Sequence, residues 1–176
     1  CLQACTSEMW GKLTTRLLEN MHKAPQVAIY QWHQAYLIIK MQHGESVACP
    51  PELLERSLAA HKAVLARRTP PTHFERVLAE AVRQVAPGQK VRVEYVVSDS
   101  QGQGGLRVDV ALPGLQLAVE ADGPHHFLRN VEPLQQDGTT KARDRLLWGW
   151  GWRVVFVPWY VWDQLPAQGV SHEELV

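Results

Sequence analysis

Leu117-Ala118-Val119-Glu120-Ala121-Asp122-Gly123-Pro124-His125-His126-Phe127 is a short apolar run that ends in two acids, a Gly-Pro break and a histidine pair. A run this apolar, stopped by Gly and Pro, is expected to be a strand near the middle of a sheet, from Leu115 to Ala121. Yet it contains Glu120 and meets Asp122 at its end. Side chains alternate along a strand, so these two carboxylates point to the same side.

The preceding segment, Leu106 to Leu112, reads as a second strand carrying Asp109, and Pro113-Gly114 as a tight turn between the two. Asp109 then lies nearer the turn than Glu120, so the two acids are expected to be diagonal neighbours. Earlier still, Val91, Val93, Tyr95 and Val97 alternate with polar residues as a strand does. Asp99 to Gly105 is a glycine-rich loop. Thr72-His73-Phe74-Glu75 fits a capping box, followed by an apolar stripe through Val77, Leu78, Ala81 and Val82 that Pro87-Gly88 stops. Beyond the opening stretch, Asp122 to Asp137 reads as a long loop. A helix runs from Thr139 or Thr140 to about Trp148, a fourth strand from Trp152 to Val157, and a short helix from about Val161 to Leu165. Three meandering strands and a helical crossover into a fourth give a four-stranded mixed sheet flanked by helices, of α+β or α/β class.

Upstream, the sequence reads as three helices. Trp10, Leu13, Leu17 and Met21 follow Thr6-Ser7 at helical spacing. Pro25 opens a second helix, with Val27, Ile29, Trp32, Tyr36 and Ile39 inward, and Gly44 ends it. Pro50-Pro51 opens a third, with Leu54, Leu58 and Leu65 inward. Residues 1–69 are therefore expected to form a helical segment and residues 70–176 a second domain.

Of the 176 residues, 45% are hydrophobic and 20% charged, with seven tryptophans, which excludes a wholly disordered chain. No apolar run is long enough for a membrane helix, so no membrane partner is expected. Lys plus Arg and Asp plus Glu both number 18. Nucleic-acid-binding domains are usually basic, so any such contact must come from a local patch. Three cysteines without CxxC spacing argue against a disulfide framework or a cysteine-built zinc site. The chain starts at Cys1 rather than Met, which leads us to expect a C-terminal piece of a longer protein.

Three carboxylates brought together in an apolar setting are costly unless hydrogen bonds or a cation compensate. Magnesium held by Asp109 and Glu120 would do so. So would ion pairs with Arg107, Lys141, Arg143 or Arg145, or capping of loop backbone. His125-His126 can orient the loop or serve in acid–base chemistry. The aromatic set from Trp148 to Trp162 reads mainly as packing, with one or two rings able to stack on bases. Arg129, Lys141, Arg143 and Arg145 form either a solvated surface or a phosphate-contacting patch.

Arg107-Val108-Asp109-Val110 and the Leu117–Phe127 stretch resemble the core of the RAP domain. So do Gly138-Thr139-Thr140-Lys141-Ala142-Arg143 and the segment Gly151 to Trp162, in the right order and spacing. Gln31-Trp32-His33-Gln34-Ala35-Tyr36-Leu37 is similar to the helical region before that domain in octotricopeptide-repeat proteins, which makes residues 1–69 the end of an upstream helical-repeat region. The resemblance implies a restriction-endonuclease-like fold. In related nucleases of that fold, acids at the positions of Asp109 and Glu120 hold magnesium, and a lysine follows two residues after the second acid. Here Asp122 occupies that place. If the chain were active, the resemblance would point to Asp109, Glu120, Asp122, His126 and Lys141.

The resemblance further implies an RNA-binding protein of an organelle, a mitochondrion or alternatively a chloroplast. It would act in RNA metabolism or in a ribonucleoprotein such as the organellar ribosome. Its partners would be organellar rRNA or mRNA and ribonucleoprotein proteins, contacted through Arg129, Lys141, Arg143 and Arg145. Two alternatives stay open: a magnesium-dependent RNA endonuclease, and a structural subunit that binds only proteins. The departure at Asp122 weighs against an enzyme, and no cofactor is expected beyond a possible magnesium ion.

Overall fold

A computed structural model describes residues 7–44, 47, 49–99, 102, 104–128 and 131–164. It has two compact units, one of Cys1–Arg67 with Asp99–Gly105, the other of Arg68–Ser98 with Leu106–Val176.

The first unit contains α1 (Ser7–Glu19), α2 (Gln26–His43) and α3 (Pro51–Ala66). Pro51 sits in the first turn of α3, where its missing N–H costs nothing. Trp10, Trp32 and Tyr36 stack on one another, with centroids 5.2–6.3 Å apart. Ile29, Trp32, Tyr36 and Ile39 are buried as the spacing predicts, but Val27 and Leu13 are exposed. In α3 the inward residues are Leu53, Ser57, Ala60 and His61 rather than Leu54, Leu58 and Leu65. Two polar groups on the inner face displace the apparent leucine stripe. Both make buried hydrogen bonds: His33 Nδ1 and Ser57 Oγ lie 2.9 Å apart, and Gly105 N–H donates to His61 Nε2 at 3.0 Å, while His61 Nδ1 is buried without a partner among the described residues.

The second unit is α+β. α4 (His73–Val85) is started by the expected capping box, with Thr72 Oγ1 accepting from Glu75 N–H and Glu75 accepting from Thr72 N–H. The strands β1 (Arg92–Ser98), β2 (Gly105–Leu112), β3 (Leu117–Asp122) and β4 (Arg153–Pro158) lie in that order in one sheet. β2 and β3 are antiparallel; β3 and β4 are parallel and joined through α5 (Gly138–Gly149). Such a parallel pair needs a crossover of this kind. A short helix, α6 (Trp159–Trp162), follows β4. Leu78, Val82, Val110, Leu112, Val119, Ala121, Val157 and Trp162 form the core between α4, the sheet and α6. No described helix is long and apolar enough to cross a membrane.

One local difference matters for the site. Leu112 pairs with Leu117, so the β2–β3 connection takes residues 113–116 rather than a two-residue turn. Pro113–Leu115 make one 3-10 turn and Gln116 adopts a left-handed conformation, φ 48°. Leu115 is therefore in the turn and exposed, not in the strand. Extending the observed register sets Asp109 level with Glu120, opposite rather than diagonal.

Candidate functional site

The central strand β3 delivers Glu120 and Asp122 to one side, where both are buried. Asp109 comes from β2, and its Oδ2 accepts the Ala121 N–H at 2.7 Å. From α5, Asp144 joins them, also buried. Four carboxylates thus surround one guanidinium. Arg143, from the same helix, donates to both Glu120 oxygens at 3.3 and 3.4 Å and to the Arg107 carbonyl at 2.8 Å. Of the ion-pair partners the sequence allowed for Glu120, the fold selects Arg143.

Protonation follows from this crowding. Burial pushes Glu120 up to about 8; Arg143 opposes the shift, while Asp109, Asp122 and Asp144 add to it. Burial likewise raises Asp109 to about 6, against the pull of the Ala121 N–H. Asp144 rises to about 7 through burial and the nearby Asp122. Asp122 is raised by burial too, with the Gln136 hydrogen bond and His126 opposing. Two effects therefore lessen the negative charge of the cluster: carboxyl pKa values raised by burial, and the Arg143 guanidinium paired with Glu120.

His126 stands at the edge of this cluster, its Nδ1 3.1 Å from Thr140 Oγ1 and 3.8 Å from Asp122 Oδ1. Burial lowers its pKa, with Asp122 opposing. Asp137 caps α5 by accepting from Thr140 N–H at 2.8 Å, so cap, threonine and histidine hold the loop to the helix. Gln136 Nε2 adds a 3.1 Å hydrogen bond to Asp122. His125 is exposed, its ring tilted by 42° against that of His126 with centroids 4.3 Å apart. Lys141 lies on the exposed surface of α5 and Arg145 is half-buried. Arg129 lies outside the described residues.

Asp109 also belongs to a second group. One carboxylate oxygen each from Glu75 on α4, Glu94 on β1 and Asp109 lie within 4.8 Å of one another. Among the described residues this is the one set of three acid, His or Cys ligands close enough to share an ion. Arg107 already balances it, with Nε 3.4 Å from Glu94 Oε2 and Nη1 donating to the Glu94 carbonyl at 3.1 Å. Sequence reasoning did not find Glu75, Glu94 or Asp144. Glu75 reads as a helix cap, Glu94 as an outward strand residue and Asp144 as one more charge in a basic helix. Glu94 has φ 52°, which breaks the simple alternation of β1.

A divalent cation held by Asp109 and Glu120 does not fit this arrangement. Both Glu120 oxygens face Arg143, and Asp109 Oδ2, one of its two carboxylate oxygens, accepts from backbone. An incoming ion would have to displace a guanidinium anchored to the Arg107 carbonyl.

The profile of the RAP domain family matches residues 119–174, and the chain carries a RAP domain there. The match takes in Glu120, Asp122, His126 and the whole of α5; Glu75, Glu94 and Asp109 precede it. RAP domains are in general RNA-binding domains.

Proposed function

With a RAP domain as its C-terminal part, we propose that this chain is an RNA-binding module and not a nuclease. The observation that carries the proposal is the division of labour within α5. Arg143 turns inward and neutralises Glu120, while Lys141 and Arg145 lie toward the other side of the same helix. An acid cluster closed by its own arginine serves to position that helix. The charges left for a partner are basic, as phosphate contacts require. This also accommodates a chain of zero net charge, since the contact surface is local.

By the resemblance of its motifs, the protein works in an organelle, the mitochondrion first and the chloroplast second. There it acts in RNA metabolism or within a ribonucleoprotein such as the organellar ribosome, on rRNA or mRNA. Residues 1–69 would then be the last part of a helical-repeat region that contributes its own RNA or protein contacts. Arg129 completes the basic set in this reading.

The test is anisotropy of a labelled single-stranded RNA titrated with the purified chain, competed by unlabelled RNA. Saturable, competable binding is expected. Absence of binding at low salt would leave a protein-binding subunit as the better reading. Fractionation of organelles from cells expressing the tagged protein, with sequencing of the RNA that copurifies, identifies the compartment and the target.

A further inference from the structure

Trp148 stands apart from the other six tryptophans. Trp10, Trp32 and Trp162 are buried and Trp150, Trp152 and Trp159 are half-buried, but Trp148 is 54% exposed. Trp152 packs on Tyr95, Trp159 on Tyr160 and Trp162 on Phe74. Trp148 makes no ring contact among the described residues. A tryptophan side chain offers a large apolar area whose exposure is unfavourable, so such a ring in a well-formed helix is a ready contact surface.

Its neighbours say what kind of contact. Residues three and four apart share a helix face, so Lys141, Arg145 and Trp148 form one stripe along α5, about 10 Å from first to last at 1.5 Å per residue. Thr140, Asp144 and Leu147, all buried, lie on the adjoining face about 100° round the helix, and Arg143 lies opposite the stripe. Asp144, the sole acid in α5, is one turn from both Lys141 and Trp148 but is buried in the acid cluster, so the stripe offers two cations beside an open aromatic face. A flat π-face flanked by positive charge is complementary to a nucleobase with its phosphates. An acidic peptide would satisfy the cations but leave the indole without a partner. An RNA duplex would satisfy them too, but its base faces are already stacked.

We propose that this stripe binds single-stranded RNA, with Trp148 as the platform on which a base stacks and Lys141 and Arg145 as contacts to flanking phosphates. The inference rests on the RNA-binding reading above and adds to it the strandedness of the RNA and the residue that senses the base.

The experiment uses the full chain and four probes at one salt concentration: a single-stranded pyrimidine oligoribonucleotide, the same oligonucleotide with abasic sites, an RNA duplex and polyglutamate. The parent chain binds the base-bearing single strand best. Trp148→Ala weakens that binding roughly 5- to 150-fold, the range for loss of one stacked base, and abolishes the preference over the abasic probe. Trp148→Phe retains most of the affinity. Since Trp148 is exposed, its replacement leaves the fold intact, which circular dichroism checks. Unchanged RNA affinity in Trp148→Ala overturns the platform while leaving RNA binding standing. Equal binding of the abasic probe, the duplex or polyglutamate by the parent also overturns it. Failure of the parent to bind any RNA removes both readings together.

Discussion

Arg143 donates to both carboxylate oxygens of Glu120 and, through the same nitrogen, to the carbonyl of Arg107. One side chain thereby ties α5 to β2 and β3. It also sets the chemical character of the site, since the acid that could hold a metal ion is already paired.

Removing that guanidinium should be costly. Arg143→Ala leaves Glu120 buried beside three other acids, and breaking a buried pair costs about 3 kcal/mol. Because burial has already pushed Glu120 up to about 8, the variant can recover by taking a proton. Urea denaturation is therefore expected to show a loss that is largest near pH 8 and smaller near pH 6. Adding Glu120→Gln to the variant should restore much of the stability at pH 8. A loss independent of pH would show that Arg143 acts through packing alone.

The two units should respond to pH with opposite sign. Glu120, Asp144 and Asp109 have folded pKa values above their ordinary ones. Their contribution is complete below about pH 4, the unfolded value, and is lost as pH rises toward 8. His126, lowered by burial, acts in the opposite direction. In the helical unit, burial and the neighbouring His33 lower His61 to about 4. Folded His61 stays neutral while the unfolded chain takes a proton below about pH 6.5. That unit is unaffected above pH 6.5 and loses up to about 1.4 kcal/mol per pH unit between 6.5 and 4. Hydrogen exchange followed by mass spectrometry reads each unit separately. Amides of α2 and α3 should lose protection on acidification and those of β3 on alkalinisation.

Thr72→Ala removes the acceptor for the Glu75 N–H and should cost about 1 kcal/mol. Thr72→Asp should restore it, as another cap acceptor at the same place. Thermal denaturation of both variants checks this.

RNA incubated with the chain and magnesium or manganese is expected to be recovered intact. Hydrolysis by a metal needs an open coordination position and a positive group for the developing charge. Here Arg143 occupies Glu120, and Asp122 adds a further carboxylate beside it where the chemistry wants a positive group. The control is Asp109→Ala with Glu120→Ala. Cleavage by the parent that vanishes in the control would restore the nuclease reading.

The parts of this structure visible in the sequence are those set by local chemistry. The capping box at Thr72 and Glu75, the period-two strands and the Pro- and Gly-marked ends depend on a few adjacent residues. The central place of β3 follows from its apolar run between acids. What escaped depends on counting or on distance. Gln116 in the left-handed region lengthened the β2–β3 connection and brought Asp109 level with Glu120. Polar Ser57 and His61 on the inward side of α3 concealed its true face. The choice of Arg143 over Lys141 depends on the rotation of α5 by a fraction of a turn. The approach of Glu75, Glu94 and Asp109 joins a helix and two strands, and no short-range pattern reports it.

The most direct test of the central claim is the salt dependence of single-stranded RNA binding, measured for the parent chain and for Lys141→Ala combined with Arg145→Ala. Each phosphate contact to a single strand contributes about 0.7 to the slope of log affinity against log salt. The account predicts weaker binding by the double variant and a slope shallower by about 1.4, with the fold unchanged. Equal affinity and equal slope in the two proteins would contradict it.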